Sequence, residues 1–291
     1  MKPAPFEYVA ATDVEHAIAL LEEHGPTAKL LAGGQTLVPM MNFRLARPDV
    51  LIDLNRVTAL AGVRVDGGDL VIGAMTRHVE VETSPVVSRH CPLLAEAMPH
   101  IAHPAIRNRG TIGGSIAHAD PAAEMPVVLT ALGAVLRAKS RGGEREIPVG
   151  EFFVAYLTTS LGANEVLTEI RIPKSAAGTG SAFVEFSRRH GDFALVAAAA
   201  TLRVVRGAIA DDVRIALGGV AAGPVRARRA EGLLRGAEPT EASFALAAAA
   251  AAEEIDPPQD IHASPAYRRQ LTRHYVALAL TRAHARAGAA A

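Results

Sequence analysis

Residues 106–126 read IRNRGTIGGSIAHADPAAEMP, a Gly-rich segment that runs into an apolar stretch without a break. Thr111-Ile112-Gly113-Gly114-Ser115 sets two glycines between hydroxyl residues, and consecutive glycines let a backbone turn its N–H groups toward one point. Such a point attracts phosphate oxygens, so the stretch reads as half of a cofactor cradle. The other half lies upstream in LLAGGQTLVPMMNFRL, residues 30–45, where the apolar run Lys29-Leu30-Leu31-Ala32 stops at Gly33-Gly34 and Gln35-Thr36-Leu37 follows. A dinucleotide pyrophosphate needs donors from more than one loop, because each backbone N–H satisfies a single lone pair. Two Gly-Gly loops on different strands can supply them. Neither contains G-x-G-x-x-G or G-x-x-x-x-G-K-[ST]. A lone Gly-Gly is ordinarily a turn; the pair, with matching flanks, is what points to a ligand.

Outward from the loops, the 291 residues suffice for two domains with a sizeable core, and 49% hydrophobic content is that of a globular chain. Thirty basic and thirty acidic residues balance, which argues against nucleic acid as a partner. The single cysteine, Cys91, excludes internal disulfides and a self-contained four-cysteine iron–sulfur cluster. With no apolar leader and no transmembrane segment, a cytoplasmic location is expected.

The order of elements follows from caps and periodicity. A strand at residues 6–9 precedes a helix capped by Thr12 or Asp13 and ended by Gly25-Pro26. Residues 29–32 form a strand into the first loop, 37–44 a short helix, and 50–54 a strand. Alternation around Gly67-Gly68 predicts a hairpin. Helices are expected over 79–84, 92–102 and, beyond Asp120-Pro121, up to Gly133. A second hairpin turns at residues 141–143, 151–157 reads as a short helix, and 166–172 as a strand. The small-residue run SAAGTGSA, 175–182, marks a domain boundary. Beyond it, strands at 184–188, 194–205 and 213–220 precede helices over 241–254 and 265–287, the last with Leu271, Tyr275, Leu278 and Leu280 toward the core.

AGGQTLVP followed much later by IRNRGTIGGSIAHADPAAEMP resembles the two FAD-binding signatures of the flavoprotein subunits of molybdenum hydroxylases. That family includes the medium subunit of aerobic carbon monoxide dehydrogenase and the FAD domain of xanthine dehydrogenase. GDFALVAAAATL resembles the start of its C-terminal domain, so the resemblance covers nearly the whole chain. It implies an α+β fold: a two-part FAD-binding domain of the vanillyl-alcohol-oxidase/PCMH type over residues 1–177 (subdomains about 1–57 and 58–177), then an antiparallel sheet and helix domain over 178–291. It further implies noncovalent FAD held by Lys29, Leu31, Ala32, Gly33, Gly34, Gln35, Thr36, Leu37, Ile101, Ala102, Thr111, Gly113, Gly114, Ser115, His118, Ala119, Glu124, Leu167 and Phe193. The implied partners are an iron–sulfur small subunit and a molybdopterin large subunit, with electrons passing through the flavin to an external acceptor. Departures from the family are Ser115, where Asn is usual, Gln35, where His is common, and Glu124, where Asp is frequent.

Several residues carry two readings. Glu124 can accept hydrogen bonds from ribityl or ribose hydroxyls, or serve as a helix N-terminal charge worth some tenths of a kcal/mol. Phe193 either shields the flavin, as the aligned family aromatic does, or packs in the core. His118-Ala119-Asp120 reads as flavin packing rather than an acid–base pair, and His90, His100, His103 and His118 lack metal-ligand spacing. Two rival functions remain: a self-sufficient FAD oxidase or reductase, and a flavin-free scaffold subunit.

Overall fold

The computed structural model describes residues 1–288; the last three residues of the expected C-terminal domain, 289–291, lie outside the described residues. The chain opens with β1 (Glu7–Ala10), α1 (Val14–His24), β2 (Ala28–Leu31), α2 (Leu37–Asn42) and β3 (Val50–Asp53). Helices between the strands permit parallel pairing, and the sheet has the order β1-β3-β2 with both pairs parallel. Asp13 starts α1 by accepting the His16 amide at 2.7 Å. Its Val14, Ala17, Ile18 and Leu21 are buried.

A second sheet begins with β4 (Val63–Asp66) and β5 (Asp69–Gly73). Gly67 and Gly68 join them at φ 60° and 95°, the left-handed turn that a two-residue hairpin favours. Six helices follow: α3 (His78–Thr83), α4 (Pro85–His90), α5 (Pro92–Ala97), α6 (Pro104–Arg107), α7 (Ile112–His118) and α8 (Glu124–Leu132). The chain returns through β6 (Val135–Ser140), β7 (Gly143–Pro148), α9 (Val149–Phe152), the hairpin β8 (Phe153–Ala155) and β9 (Thr158–Thr159), and β10 (Val166–Ile172). The five-stranded sheet runs β4-β5-β10-β6-β7, antiparallel throughout.

The third unit contains β11 (Gly180–Phe186), β12 (Val196–Leu202), the small hairpin β13 (Val204–Val205) and β14 (Ala208–Ile209), then β15 (Arg214–Gly218) and β16 (Val225–Arg226). The helices α10 (Arg228–Leu234), α11 (Glu241–Glu253) and α12 (Pro265–Arg286) complete it. Its sheet, β11-β12-β15-β16, is antiparallel. All seven residues of β12 are buried, because α12 covers one face and α8 the other. For the same reason all nine residues of α8 are buried, and apart from Glu124 and Thr130 they are apolar, as a helix enclosed on every side requires. α8 thereby joins the two halves of the molecule.

Several elements differ from expectation. The stretch 151–157 is not a helix: α9 ends at Phe152, and Val154, Thr158 and Thr159, β-branched residues that favour strands, lie in the β8–β9 hairpin. The helix expected over 92–102 stops at Ala97 and continues as a 3-10 turn over Met98–His100, where Pro99 cannot donate to the helical ladder. The expectation missed α4, although Ser84 caps it and Pro85 occupies its first position; it also missed β16 and α10. On α12 Leu280 is buried, whereas Leu271, Tyr275 and Leu278 are partly buried. Among the described residues no helix is long and apolar enough to cross a membrane.

Candidate functional site

The two Gly-Gly stretches, far apart in sequence, meet where the parallel sheet abuts the second subdomain. A Cβ on Gly33 would stand 2.4 Å from the Arg109 carbonyl oxygen and 2.7 Å from the Gly110 Cα. Only glycine permits that approach. Gly34 takes φ +70°, a left-handed conformation that glycine adopts without strain. The amides of Gly33, Gly34, Gln35 and Thr36 donate to no acceptor among the described residues. A run of unengaged backbone N–H groups in a turn makes an anion-binding concavity, which suits the pyrophosphate of FAD.

A polar network holds this concavity from behind. The Asp53 carboxylate accepts the Tyr8 hydroxyl at 2.5 Å and the Asn55 amide at 2.8 Å. Asn55 Nδ2 donates to Ala32 O at 3.1 Å, and Asn55 Oδ1 accepts from Arg77 at 2.5 Å. Arg77 also donates to Arg109 O, so one guanidinium ties both loops together. Burial, with Arg109 nearby, holds its pKa below the usual arginine value. A cleft of about 400 Å³ opens here between Gly33, Gly34, Gln35, Asn55, Ile106 and Arg109. Sequence reasoning missed Asp53, Asn55, Arg77, Ile106 and Arg109. The available signal was Asp53-Leu54-Asn55 directly after a buried parallel strand, because ligands in such sheets sit beyond the carboxyl ends of strands.

The second Gly-Gly pair works differently from the first. It forms no turn and lies on no strand; it occupies the first turn of α7. Thr111 Oγ1 caps that helix by accepting the Gly114 amide at 3.1 Å, while the Gly113 amide donates to Ala74 O at 2.8 Å. The expected phosphate donors are therefore already engaged within the protein. A Cβ on Gly113 would lie 2.5 Å from that of Ala74, and one on Gly114 3.4 Å from that of Ala32. Gly113 lets the helix pack on the strand end, and Gly114 lets it approach the first loop. The surfaces left to a ligand here are the Ser115 side chain and the shape of the wall.

The other expected site residues are dispersed. Thr36 and Leu37 begin α2. Lys29 is exposed on β2, paired with Leu51. The carbonyls of Ile101 and Ala102 accept from Arg107 at 3.0 and 3.3 Å, and Arg107 is anchored in turn by Glu82 at 2.7 and 3.2 Å. Ala102 and Ala119 adopt φ 45° and 55°, rare for residues with a Cβ. His118 ends α7 partly buried, and Leu167 is buried in β10. Glu124 is 5% exposed at the start of α8, so it is no solvated N-terminal charge.

Phe193 is 62% exposed, which removes the core-packing alternative. It stands on the lip of a second cleft, of about 570 Å³, between Asp120-Pro121 of the first domain and Arg188, Leu195 and Arg268 of the C-terminal one. Arg268 is 3% exposed and donates to Leu195 O at 2.5 Å, Gly219 O at 2.8 Å and Asp260 at 2.7 Å. Cys91 is fully enclosed, and burial pushes its thiol up to about 12, so it is inert as nucleophile or ligand at neutral pH. No group of three metal-ligating side chains occurs among the described residues.

The chain matches two family models: the FAD-binding domain of molybdopterin dehydrogenase over residues 4–175, and the carbon monoxide dehydrogenase flavoprotein C-terminal domain over 181–283. It is 45% identical to the 6-hydroxypseudooxynicotine dehydrogenase complex subunit alpha of Paenarthrobacter nicotinovorans, covering 99% of this chain and 97% of that one. To the carbon monoxide dehydrogenase medium chain of Hydrogenophaga pseudoflava it is 41% identical, covering 98% and 99%. A solved structure of carbon monoxide dehydrogenase from that organism superposes with a TM-score of 0.97 at 42% identity, covering 99% of this chain and all of that one. With both family models matched in order along its length and relatives at 41% and 45% identity covering nearly all of it, this chain belongs to the FAD-binding medium-subunit family of the molybdenum hydroxylases.

Proposed function

We propose that this chain is the electron-transfer subunit of a carbon monoxide dehydrogenase-like complex. It takes electrons from an iron–sulfur small subunit, itself served by a molybdopterin large subunit, and passes them to an external acceptor. The observation that carries this reading is the run of unengaged amides at Gly33–Thr36 beside the cleft that Gly33, Gly34 and Gln35 line with Arg109, joined to a single buried cysteine that cannot hold a cluster. The domains divide at residues 177 and 178. In this proposal Gly33 to Leu37 hold the pyrophosphate, Ser115 and Glu124 meet ribityl or ribose hydroxyls, and Phe193 excludes water from one flavin face. FAD supplies the redox chemistry when bound; the chain binds it, orients it and sets its surroundings. Relatives named for carbon monoxide and for 6-hydroxypseudooxynicotine share nearly the full length of this chain, which supports assigning substrate choice to another subunit.

The test is purification of the native complex with metal analysis, together with assays of the chain alone. Molybdenum and iron are expected in co-purifying subunits. The flavin of the isolated, FAD-loaded chain should accept electrons from an artificial donor and be reoxidised, without turnover of organic substrates. Turnover by the chain alone at an ordinary enzymatic rate, about ten per second, would make it a self-sufficient flavoenzyme.

The cofactor should also be released by acid. Gln35 donates to Gly33 O at 2.9 Å and offers no nucleophile, and Cys91 is sealed in the core. Precipitation with acid should leave yellow supernatant and a colourless pellet; colour retained in the pellet would show a covalent bond.

A further inference from the structure

The charge that the first cleft presents is one-sided. Among the described residues that line it, Asp53 is the one carboxylate and Arg109 the one cation. Asp53 is 8% exposed and both of its oxygens are engaged, one by the Tyr8 hydroxyl and the other by the Asn55 amide. Arg109 is the opposite case. Its carbonyl accepts from Arg77 and presses on Gly33, while the residue is exposed and its guanidinium finds no hydrogen-bond or ion-pair partner among the described residues. The backbone of Arg109 thus builds the wall of the cleft and leaves its side chain uncommitted.

A second guanidinium stands close behind. Arg77 spends its donors on Asn55 Oδ1 and the Arg109 carbonyl, both neutral acceptors. Glu80 lies near, but its carboxylate accepts the Arg77 amide, at 2.7 Å. Burial first, and then the charge of Arg109, hold the Arg77 pKa down, against the pull of Glu80 and Asp53. Two like charges therefore share this end of the cleft, and an anion entering it relieves their repulsion.

We propose that Arg109 is the phosphate-pairing residue of the first cleft, and that the cleft takes a nucleoside diphosphate, ADP alone as well as the ADP half of FAD. The assignment rests on the reading of Gly33 to Leu37 as the pyrophosphate site. Each free amide of Gly33 to Thr36 satisfies one lone pair, which leaves phosphate oxygens over, and the planar fork of a guanidinium takes two of them in parallel. Leu31, Val38, Pro39 and Ile106 line the same cleft and offer the base an apolar wall. The cleft, of about 400 Å³, shares no lining residue with the second one, where Phe193 stands. The two ends of FAD are therefore held by separate sets of side chains, and a loss at Arg109 falls on ADP and FAD by the same factor.

Calorimetric titration of the full flavin-free chain with ADP, and fluorescence titration with FAD, test the assignment in wild type, R109Q and R109K. R109Q keeps the backbone contact to Gly33 and removes the charge; it should weaken ADP and FAD alike by about tenfold. R109K, which keeps the charge and lacks the fork, should fall between. Raising the salt from about 0.05 to about 0.5 M should weaken ADP binding to wild type more than to R109Q, because screening acts on the pair that R109Q lacks; a change in folding alone would not alter that dependence. An R109Q affinity for ADP close to that of wild type overturns the assignment, as does a loss confined to FAD, or an equal loss in R109Q and R109K. A wild-type chain that binds ADP and not FAD leaves Arg109 in its role and removes the flavin reading. One that binds FAD and not ADP leaves the flavin reading and overturns the nucleoside-diphosphate site.

Discussion

Replacing Gly33 with valine is expected to strip FAD from the protein. The first side-chain carbon alone would be 2.4 Å from Arg109 O, and neither side can yield cheaply. Arg109 O is held by Arg77, and Ala32, beside the glycine, is held by Asn55. Overpacking a rigid contact costs about 1–3 kcal/mol. The larger loss is functional. The Arg109 turn and the first loop must move apart, which shifts the unengaged amides in the cleft they line with Arg109. A hydrogen bond to a charged group contributes roughly 1.5–3 kcal/mol, so misdirecting two of them weakens binding by about a hundredfold to ten-thousandfold, with 1.4 kcal/mol per factor of ten. Gly34→Ala should do less, because its Cβ would meet only the side chains of Leu31 and Val38, at 3.1 Å, and the left-handed strain costs about 1–2 kcal/mol. Flavin fluorescence titration measures both. A Gly33→Val affinity within tenfold of wild type would show that the cradle lies elsewhere.

The second large effect is expected at Arg268, in stability rather than cofactor affinity. This guanidinium joins Leu195 O, Gly219 O and Asp260, fastening the segment before α12 to the ends of two sheet strands. Arg268→Leu leaves both carbonyls without a donor in the interior. Each buried orphan costs about 1–3 kcal/mol, so a loss of about 3 kcal/mol is expected. Gly219, at φ +73° and pressed against the Leu195 and Ala194 carbonyls, has little freedom to find another partner. Arg268→Lys should recover only part of the loss, because one ammonium lacks the planar fork that spans separate acceptors. Urea unfolding of the variants checks this. A change below 1 kcal/mol would mean that water replaces the guanidinium.

The ends of most elements were legible because their caps are local. Asp13 acts through its side chain on the next turn and Gly67-Gly68 and Gly133 through their own backbone, so each stands where its residue type demands. The stretch 151–157 was misread because its helix-forming start obscured the β-branched residues that follow. That the two Gly-Gly stretches meet was legible; how each of them works was not. Gly33-Gly34 and Gly113-Gly114 look alike in sequence, yet one exposes its amides and the other hides them. The difference lies in the partners, Arg109 for one and Ala74 with Thr111 for the other, and those contacts are set by tertiary packing. Asn55 and Arg77 escaped notice for the same reason: their hydrogen bonds reach across subdomains, and isolated polar residues carry no period.

The contact between Gly33 and the Arg109-Gly110 turn has a consequence for biosynthesis. The first loop leaves the ribosome well before the turn that completes it, and the parallel sheet can form in the interval. The anion cradle comes into being only after the second subdomain has emerged and docked. Until then the nascent chain presents only half of the proposed phosphate site, its amides open to water. Flavin loading is thereby deferred until the second subdomain is made, and truncated chains ending before residue 109 should leave the cell's FAD pool untouched.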